Sequence, residues 1–254
     1  KNDLTYDELE KYMYGGADAT AYFVRETRKA TWFTQVPVVL SRQSGQPQFG
    51  QQASWNISRA GDYLLNAWLR VTLGATTSKP AALHTAAWTP NLMHNLVEKC
   101  KLTFNDMTAA EFYSEHLDFW SAFMVPASKR AGYNRMIGNF SGVDVGDGGS
   151  SGPFGGAREK GAVATLNENI DLYLPLPFFF SRDSGVSLPT AALPYNEIKM
   201  EFTFRNKDDL HYSIKNDSSF EAIHADFSGG GLTNVQVWAN YALVSNNERK
   251  KMGC

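Results

Sequence analysis

Apolar and polar residues alternate with a period of two along most of the chain between residues 31 and 245. The clearest example is residues 195–205, where four apolar residues alternate with charged or hydroxylated ones. Successive side chains of a β-strand point to opposite faces, so this pattern predicts strands with one buried and one solvated face. It predicts eight strands, at residues 31–40, 51–57, 62–73, 96–104, 170–174, 195–205, 210–214 and 233–245.

Eight antiparallel strands in two sheets, each with one dry face, are typical of a jelly roll. We therefore predict an all-β fold, an antiparallel eight-stranded jelly-roll sandwich with one inserted helix and a short N-terminal helix. A different Greek-key sandwich fits the same pattern. In the longest of the early strands, the alternation predicts one buried face made of Tyr63, Leu65, Ala67, Leu69, Val71 and Leu73.

Two segments have the pattern of a helix. Residues 3–14 begin with Thr5 and Glu8 at the spacing of a capping box and end at two glycines. Residues 108–125 begin with Thr108 and Glu111 at the same spacing and end before Pro126. The second helix has a broad apolar stripe, so we expect it to cover the open end of the sandwich.

The most unusual segment of the chain is LPLPFFFSRDSG, at residues 174–185. Its prolines remove backbone donors and hold the chain extended at the end of the preceding strand. Three adjacent phenylalanines cannot all face one core, so at least one of them needs another burial partner. Two partners are possible: the helix at residues 108–125, which would make the three rings local core, or a neighbouring subunit.

Composition gives little support for catalysis or for nucleic-acid binding. The net charge is −2 with a pI of about 6.2, so the chain has no overall basic field. The five histidines are scattered and the two cysteines are far apart, so we expect neither a metal nor another cofactor. Residues 148–152 match a nucleophile-elbow pattern, but they lie in a Gly/Ser-rich stretch at residues 138–166 that predicts an exposed loop.

Several motifs in a fixed order resemble a known family. They are LEKYMYGGADATAYFV at residues 9–24, WFTQVP at 32–37, SGQPQFGQ at 44–51, RAGDYLLNAWL at 59–69, WTPNLMHNLVEKCKLTFND at 88–106, and LPLPFFFSRDSG with LPYNEI after it. The chain resembles the first half of the major capsid proteins of large icosahedral DNA viruses of the iridovirus type.

This resemblance implies a structural protein rather than an enzyme. Such subunits have two tandem jelly rolls, and three subunits form a pseudo-hexameric capsomer of an icosahedral shell over an internal membrane. The implied partners are copies of the chain, then neighbouring capsomers, minor capsid proteins and the internal viral membrane, without direct contact to nucleic acid. The implied location is the virion shell, assembled in the host cytoplasm.

The resemblance also implies a domain organisation. Residues 1–30 would form an N-terminal arm, residues 31–246 the jelly roll, and residues 247–254 the start of a linker to a second jelly roll. We expect the arm to face the interior of the shell and to anchor there through Leu4, Leu9, Tyr12 and Met13.

We expect the phenylalanine segment to be an assembly interface formed by Phe178, Phe179, Phe180 and Arg182. It would seal one end of the sandwich against the adjoining jelly roll or subunit. The alternative function is a jelly-roll module that binds glycans through aromatic side chains on loops, such as Trp88.

Overall fold

The two main sheets are antiparallel and together hold nine strands in the part of the chain that the structure describes. That part of the computed structural model comprises residues 31–74, 76–78, 84–139, 169–193, 195–215, 220–221 and 227–252. The predicted N-terminal helix and arm, and the glycine-rich loop beyond residue 139, lie outside the described residues.

Four strands form the first sheet, in the spatial order β1 (Phe33–Val39), β14 (Leu232–Val244), β4 (Tyr63–Leu73) and β9 (Ile170–Pro175). Five form the second sheet, in the order β2 (Ser41–Gly45), β3 (Gln52–Asn56), β10 (Ile198–Phe204), β7 (Val97–Phe104) and β8 (Met107–Tyr113). Two small sheets pair β5 (Thr76–Ser78) with β13 (Phe227–Gly229), and β6 (His84–Trp88) with β11 (His211–Lys215) and β12 (Phe220–Glu221). The fold is therefore a mostly β, two-sheet antiparallel sandwich.

The eight predicted strands are all present, with bounds that differ by a few residues. Sequence analysis missed β2, β5, β6, β8, β12 and β13. The missed strand β2 has the sequence SRQSG, without alternation or β-branched residues, and all of its residues are exposed. It is a strand because it pairs with β3, which is a tertiary contact that no local pattern encodes.

The structure corrects the expectation of one inserted helix. The described residues contain four α-helices: α1 (Leu92–Leu96), α2 (Ser114–Met124), α3 (Ala127–Ile137) and α4 (Asn246–Met252). Short 3-10 turns lie at Phe179–Ser181, Ser184–Val186, Thr190–Ala192 and Lys207–Leu210.

The helix predicted at residues 108–125 is wrong over its first third. Strand β8 continues to Tyr113, and the helix begins only at Ser114. Asn105 and Asp106 both have positive φ, at 48° and 66°, and they join β7 to β8 as a two-residue hairpin turn. Asn and Asp tolerate this conformation well, which makes such a pair a hairpin signal when strands flank it. That signal outweighs the capping-box spacing. The predicted end before Pro126 is confirmed, because the helix ends at Met124, and Pro126 then precedes a further helix.

The core lies between the two main sheets, and the residues that the alternation predicted to face inward form much of it. Ile198, Met200, Phe202 and Phe204 of β10 are all buried, and the rings of Trp55 and Phe202 meet edge to face at 5.4 Å. Strand β4 departs from the prediction at its start, because Leu64 is buried whereas Tyr63 and Leu65 are partly exposed. The pairing of β4 with β14 shifts register between Asn240 and Tyr241, and such an irregularity reverses which side chains face inward.

Candidate assembly surfaces

The phenylalanine segment starts where β9 ends and turns back over the core. Phe178 and Phe180 are buried at 2% and 0% exposure, whereas Phe179 between them is 44% exposed. The 3-10 turn at Phe179–Ser181 separates the rings in this way, since neighbouring side chains of such a turn point in different directions. Two of the three phenylalanines therefore belong to the core of this chain. Of the four residues predicted to form the interface, Phe179 and Arg182 are the exposed ones.

The buried rings belong to a continuous row of aromatic contacts, with centroids 4.7–6.0 Å apart. In order, the row is Phe119, His116, Phe112, Phe178, Phe180 and Phe179. Phe112 comes from β8, and Phe119 and His116 come from α2, so the row ties the phenylalanine segment to this strand and helix. Both end members, Phe119 and Phe179, are exposed. The expected core contact with the region of residues 108–125 thus exists, through a strand residue as well as a helix.

A buried histidine joins three helices beside this row. His94 of α1 is fully buried, and its ring contacts Asp118 Oδ1 of α2 at 2.6 Å and Tyr133 Oη of α3 at 2.7 Å. Burial lowers the pKa of His94, and the hydrogen bond and charge of Asp118 only partly oppose that effect. Neutral His94 can then donate from Nδ1 to Asp118 and accept from Tyr133, so the network fixes the helices at neutral pH.

Helix α2 leaves one apolar stripe on the surface. Phe119 and Phe123 are 53% and 83% exposed, although Leu117 on the opposite side of the helix is buried. Residues 119 and 123 are one turn apart and therefore neighbours on the same face. Exposed aromatic residues that cluster in this way often mark contact surfaces.

The C-terminal helix is held against the first sheet by a buried carboxylate. Asp62 accepts hydrogen bonds from Arg249 Nε at 2.8 Å and Nη2 at 3.2 Å, and from the backbone N–H of Val244 at 2.9 Å. Burial by itself would raise the pKa of Asp62, but these hydrogen bonds and the Arg249 charge outweigh it, and the pKa is lowered. The ionised Asp62 therefore joins the start of β4 to the end of β14 and to α4.

The outer face of the five-stranded sheet is polar across its width. Its cross-strand row consists of Ser44, Ser54, Glu201, Lys101 and Glu111. Ion pairs join neighbouring strands, with Lys99 Nζ 2.9 Å from Glu111 and Lys101 Nζ 3.9 Å from Glu201. A groove of about 350 Å³ on this face is lined mainly by hydroxyl, amide and charged side chains.

The outer face of the four-stranded sheet has a different composition. Its central cross-strand row consists of Val39, Trp238, Trp68 and Pro175, one from each strand. The two tryptophans lie directly opposite each other and are partly exposed. Sequence analysis did not select them, although a tryptophan at an outward position of an alternating strand is itself an available signal.

The remaining residues selected from the sequence are either buried or outside the described residues. Trp88 is 4% exposed and stacks on Phe49 at 6.2 Å, so it cannot offer its ring to a glycan as the alternative function required. Leu4, Leu9, Tyr12 and Met13 lie outside the described residues. Among the described residues, no group of three or more His, Cys, Asp or Glu could hold a metal ion. No described helix is long and apolar enough to cross a membrane.

Comparison with known proteins identifies relatives of one kind. Residues 21–244 match the family model described as "Major capsid protein N-terminus". The chain is 53% identical to the major capsid protein of Wiseana iridescent virus and 54% identical to that of Simulium iridescent virus. Each match covers 98% of this chain and 51% or 53% of the relative, so the chain spans about half the length of these curated relatives. In fold it is similar to the Faustovirus major capsid protein, with a TM-score of 0.70 at 12% identity over 98% of this chain and 60% of that one.

Proposed function

Because the chain belongs to the family of viral major capsid proteins, as its N-terminal region, we propose that it is part of a structural subunit that builds an iridovirus shell. The observation that carries this proposal is the family match over residues 21–244, on a chain that is about half identical to iridovirus capsid proteins. The proposed role is assembly, not catalysis, and its place is the virion capsid.

We propose that the sandwich is a jelly roll. Its eight strands would be β1, β14, β4 and β9 in one sheet and β3, β10, β7 and β8 in the other, with β2 as an added edge strand. The strand order supports this proposal, because most neighbours within each sheet are distant in sequence, as Greek-key connections require.

We propose the domain organisation that the family resemblance implies. Residues 1–30 form an arm, residues 31–246 the first jelly roll, and residues 247–254 the start of a connection to a second one. The relatives are about twice as long as this chain, which leaves room for a second domain of similar size.

The proposed partners are other copies of the subunit, first in a homotrimer and then between capsomers. Minor capsid proteins and the internal membrane would meet the arm, through Leu4, Leu9, Tyr12 and Met13. No direct contact with nucleic acid is proposed, in keeping with a net charge of −2. Assembly would take place in the host cytoplasm.

We narrow the proposed interface in the phenylalanine segment to Phe179 and Arg182. Both are exposed, and the backbone between them is held by the hydrogen bond from Ser181 N–H to the carbonyl of Phe178 at 3.0 Å. A rigid backbone that presents an aromatic ring beside an arginine suits a contact, because both residue types are enriched at interfaces and little side-chain order is lost.

Paired substitutions in this segment test the narrowed interface. We expect Phe179→Ser to lower the free energy of unfolding by only about 1 kcal/mol, since the ring is partly exposed, and to weaken the trimer of the full-length subunit, measured by sedimentation velocity. Phe180→Ser is the matched contrast and should cost about 3–5 kcal/mol of stability in urea denaturation, because it removes a buried ring. A fully stable trimer with Phe179→Ser would eliminate this residue from the interface.

Purified virus particles test the function as a whole. Peptides from this chain should be among the most abundant in the particles, measured by mass spectrometry, and antibodies against folded residues 31–252 should label the shell in electron micrographs. Particles that lack the chain, or contain it only in trace amounts, would contradict the proposal.

A further inference from the structure

The central row on the outside of the four-stranded sheet is apolar from one edge to the other. Val39 pairs with Trp238, Trp238 with Trp68, and Trp68 with Pro175. Single exposed apolar residues are common on protein surfaces, but here four of them lie side by side across all four strands. Val39 at the edge is 40% exposed.

Mostly polar side chains border this row on both sides. On one side lie Gln236, Arg70 and Tyr173, and on the other Asn240 and Asn66, with Pro37 as the apolar residue at the edge. The charge of Arg70 on this border is paired within the sheet, since Arg70 Nη2 lies 2.7 Å from Asp171 Oδ2. An aromatic centre with a neutralised polar rim has the composition of a protein contact surface.

The five-stranded sheet shows that an apolar row is not a general feature of the outward positions in this sandwich. Its outward positions follow the same alternation, yet its equivalent cross-strand row holds serines, glutamates and a lysine. Both faces would carry similar side chains if solvent covered both. The apolar row is therefore specific to the four-stranded sheet.

The position of the C-terminal helix indicates where further polypeptide would start. Helix α4 follows β14 directly, and Arg249 of this helix binds Asp62 at the start of β4. Both strands belong to the four-stranded sheet. Polypeptide that continues past α4 therefore leaves from the end of the sheet whose outer face is apolar.

We propose that the outer face of the four-stranded sheet packs against a second β-sandwich supplied by the full-length subunit, with Trp68 and Trp238 at the centre of the contact. This inference rests on the proposed two-domain capsid subunit and names the surface that joins its domains. Four strands spaced about 4.8 Å apart give a face about 15 Å wide, which a second sheet of similar width covers at a separation of about 10 Å.

Hydroxyl-radical footprinting with mass spectrometry tests this contact. Oxidation of Trp68 and Trp238 should be at least fivefold slower in the full-length trimer than in residues 1–254 alone. Met107, which is exposed on β8, serves as the accessible reference, and the buried Tyr241 as the protected one. The chain is measured over a hundredfold range of concentration.

Three other oxidation patterns would overturn the inference. Slow oxidation in residues 1–254 that depends on concentration would assign the face to a second copy of this sandwich. Slow oxidation that is independent of concentration would assign it to another segment of this chain. Equal, fast oxidation in both proteins would assign it to solvent. A full-length protein that does not trimerise would instead contradict the proposed function.

A double substitution gives an independent test. Trp68→Lys with Trp238→Lys should reduce the yield of full-length trimer at least tenfold, whereas Lys101→Ala with Glu201→Ala on the other sheet should leave it unchanged. Circular dichroism confirms that each variant is folded, and Trp68→Thr with Trp238→Thr replaces the lysine variant if that one does not fold. A normal trimer yield with a folded tryptophan variant would also overturn the inference.

Discussion

The two outer faces of the sandwich differ although the same alternation produces them. The face of the five-stranded sheet has Lys99 paired with Glu111 and Lys101 paired with Glu201, as suits a surface that remains in water. The face of the four-stranded sheet has Trp68 opposite Trp238. Strand periodicity therefore predicts only which residues point outward. The chemistry of those residues indicates whether they contact solvent or another protein surface.

The two sheets also differ in how their charged pairs are placed. The Lys99–Glu111 pair lies on the surface, where solvent screens it, and such pairs contribute little. The carboxylate of Asp62 is only 5% exposed and accepts three hydrogen bonds at the end of the four-stranded sheet. We infer that a buried carboxylate stabilises one end of the first sheet, whereas charged residues solubilise the outer face of the second.

The largest effect that separates the sheets should come from Asp62→Ala. The substitution leaves the Val244 N–H without its partner and frees α4, so we expect a loss of about 2–3 kcal/mol in urea denaturation. Glu111→Ala is the control on the other sheet and should produce a much smaller change, because solvent screens its pair with Lys99. Equal effects of the two substitutions would show that burial does not distinguish these carboxylates.

Acid titration should give the next largest effect. The pKa of Asp62 is lower in the folded chain than its ordinary value of 3.8, so its stabilising contribution is present above about pH 4 and is lost as the pH falls through the folded pKa. Asp62→Asn should therefore flatten the dependence of unfolding free energy on pH below pH 4. Some dependence should remain, because the pKa values of Asp171 and Glu111 are also lowered, mainly by hydrogen bonds from Thr72 and Lys99 respectively. An unchanged slope in the asparagine variant would contradict the assignment.

The smallest effect on stability should come from exchanging polar and apolar residues between the outer faces of the two sheets. This exchange tests the comparison most directly. Lys101→Trp with Glu201→Trp gives the five-stranded sheet an apolar row, and we expect residues 1–254 to self-associate at micromolar concentration in sedimentation velocity. Trp68→Thr with Trp238→Thr should lower the free energy of unfolding by about 1–2 kcal/mol in total, since both rings are only partly buried. If the Lys101 and Glu201 variant stays monomeric, an apolar row alone does not create a contact surface.

Sequence analysis predicted the parts of the fold that depend on local pattern. Strand β10 was predicted with its buried face, because regular alternation of long apolar and charged residues has few other interpretations. Strand β8 was predicted as helix, since the spacing of Thr108 and Glu111 was given more weight than the turn-forming pair Asn105 and Asp106. Helix α3 was not predicted because it has almost no apolar stripe. Its buried contacts with the rest of the fold come from Tyr133 and Ile137.

Candidate contact residues were harder to predict than strands. The three phenylalanines were expected to act together, but the 3-10 turn buries Phe178 and Phe180 and exposes Phe179. Adjacent residues have the same composition and the same neighbours in sequence, so only backbone geometry separates their roles. Trp68 and Trp238 were not selected, because they are 170 positions apart and become one surface only through the pairing of β4 and β14.

The sequence by itself determined the family, the β-sandwich class and most of the inward-facing residues, since these depend on motifs and on a period of two that the chain carries locally. The tertiary structure decided the order of the strands, the burial of Phe180 rather than Phe179, and the apolar row across four strands. These features come from pairings between distant segments, and no local pattern specifies which segments will meet.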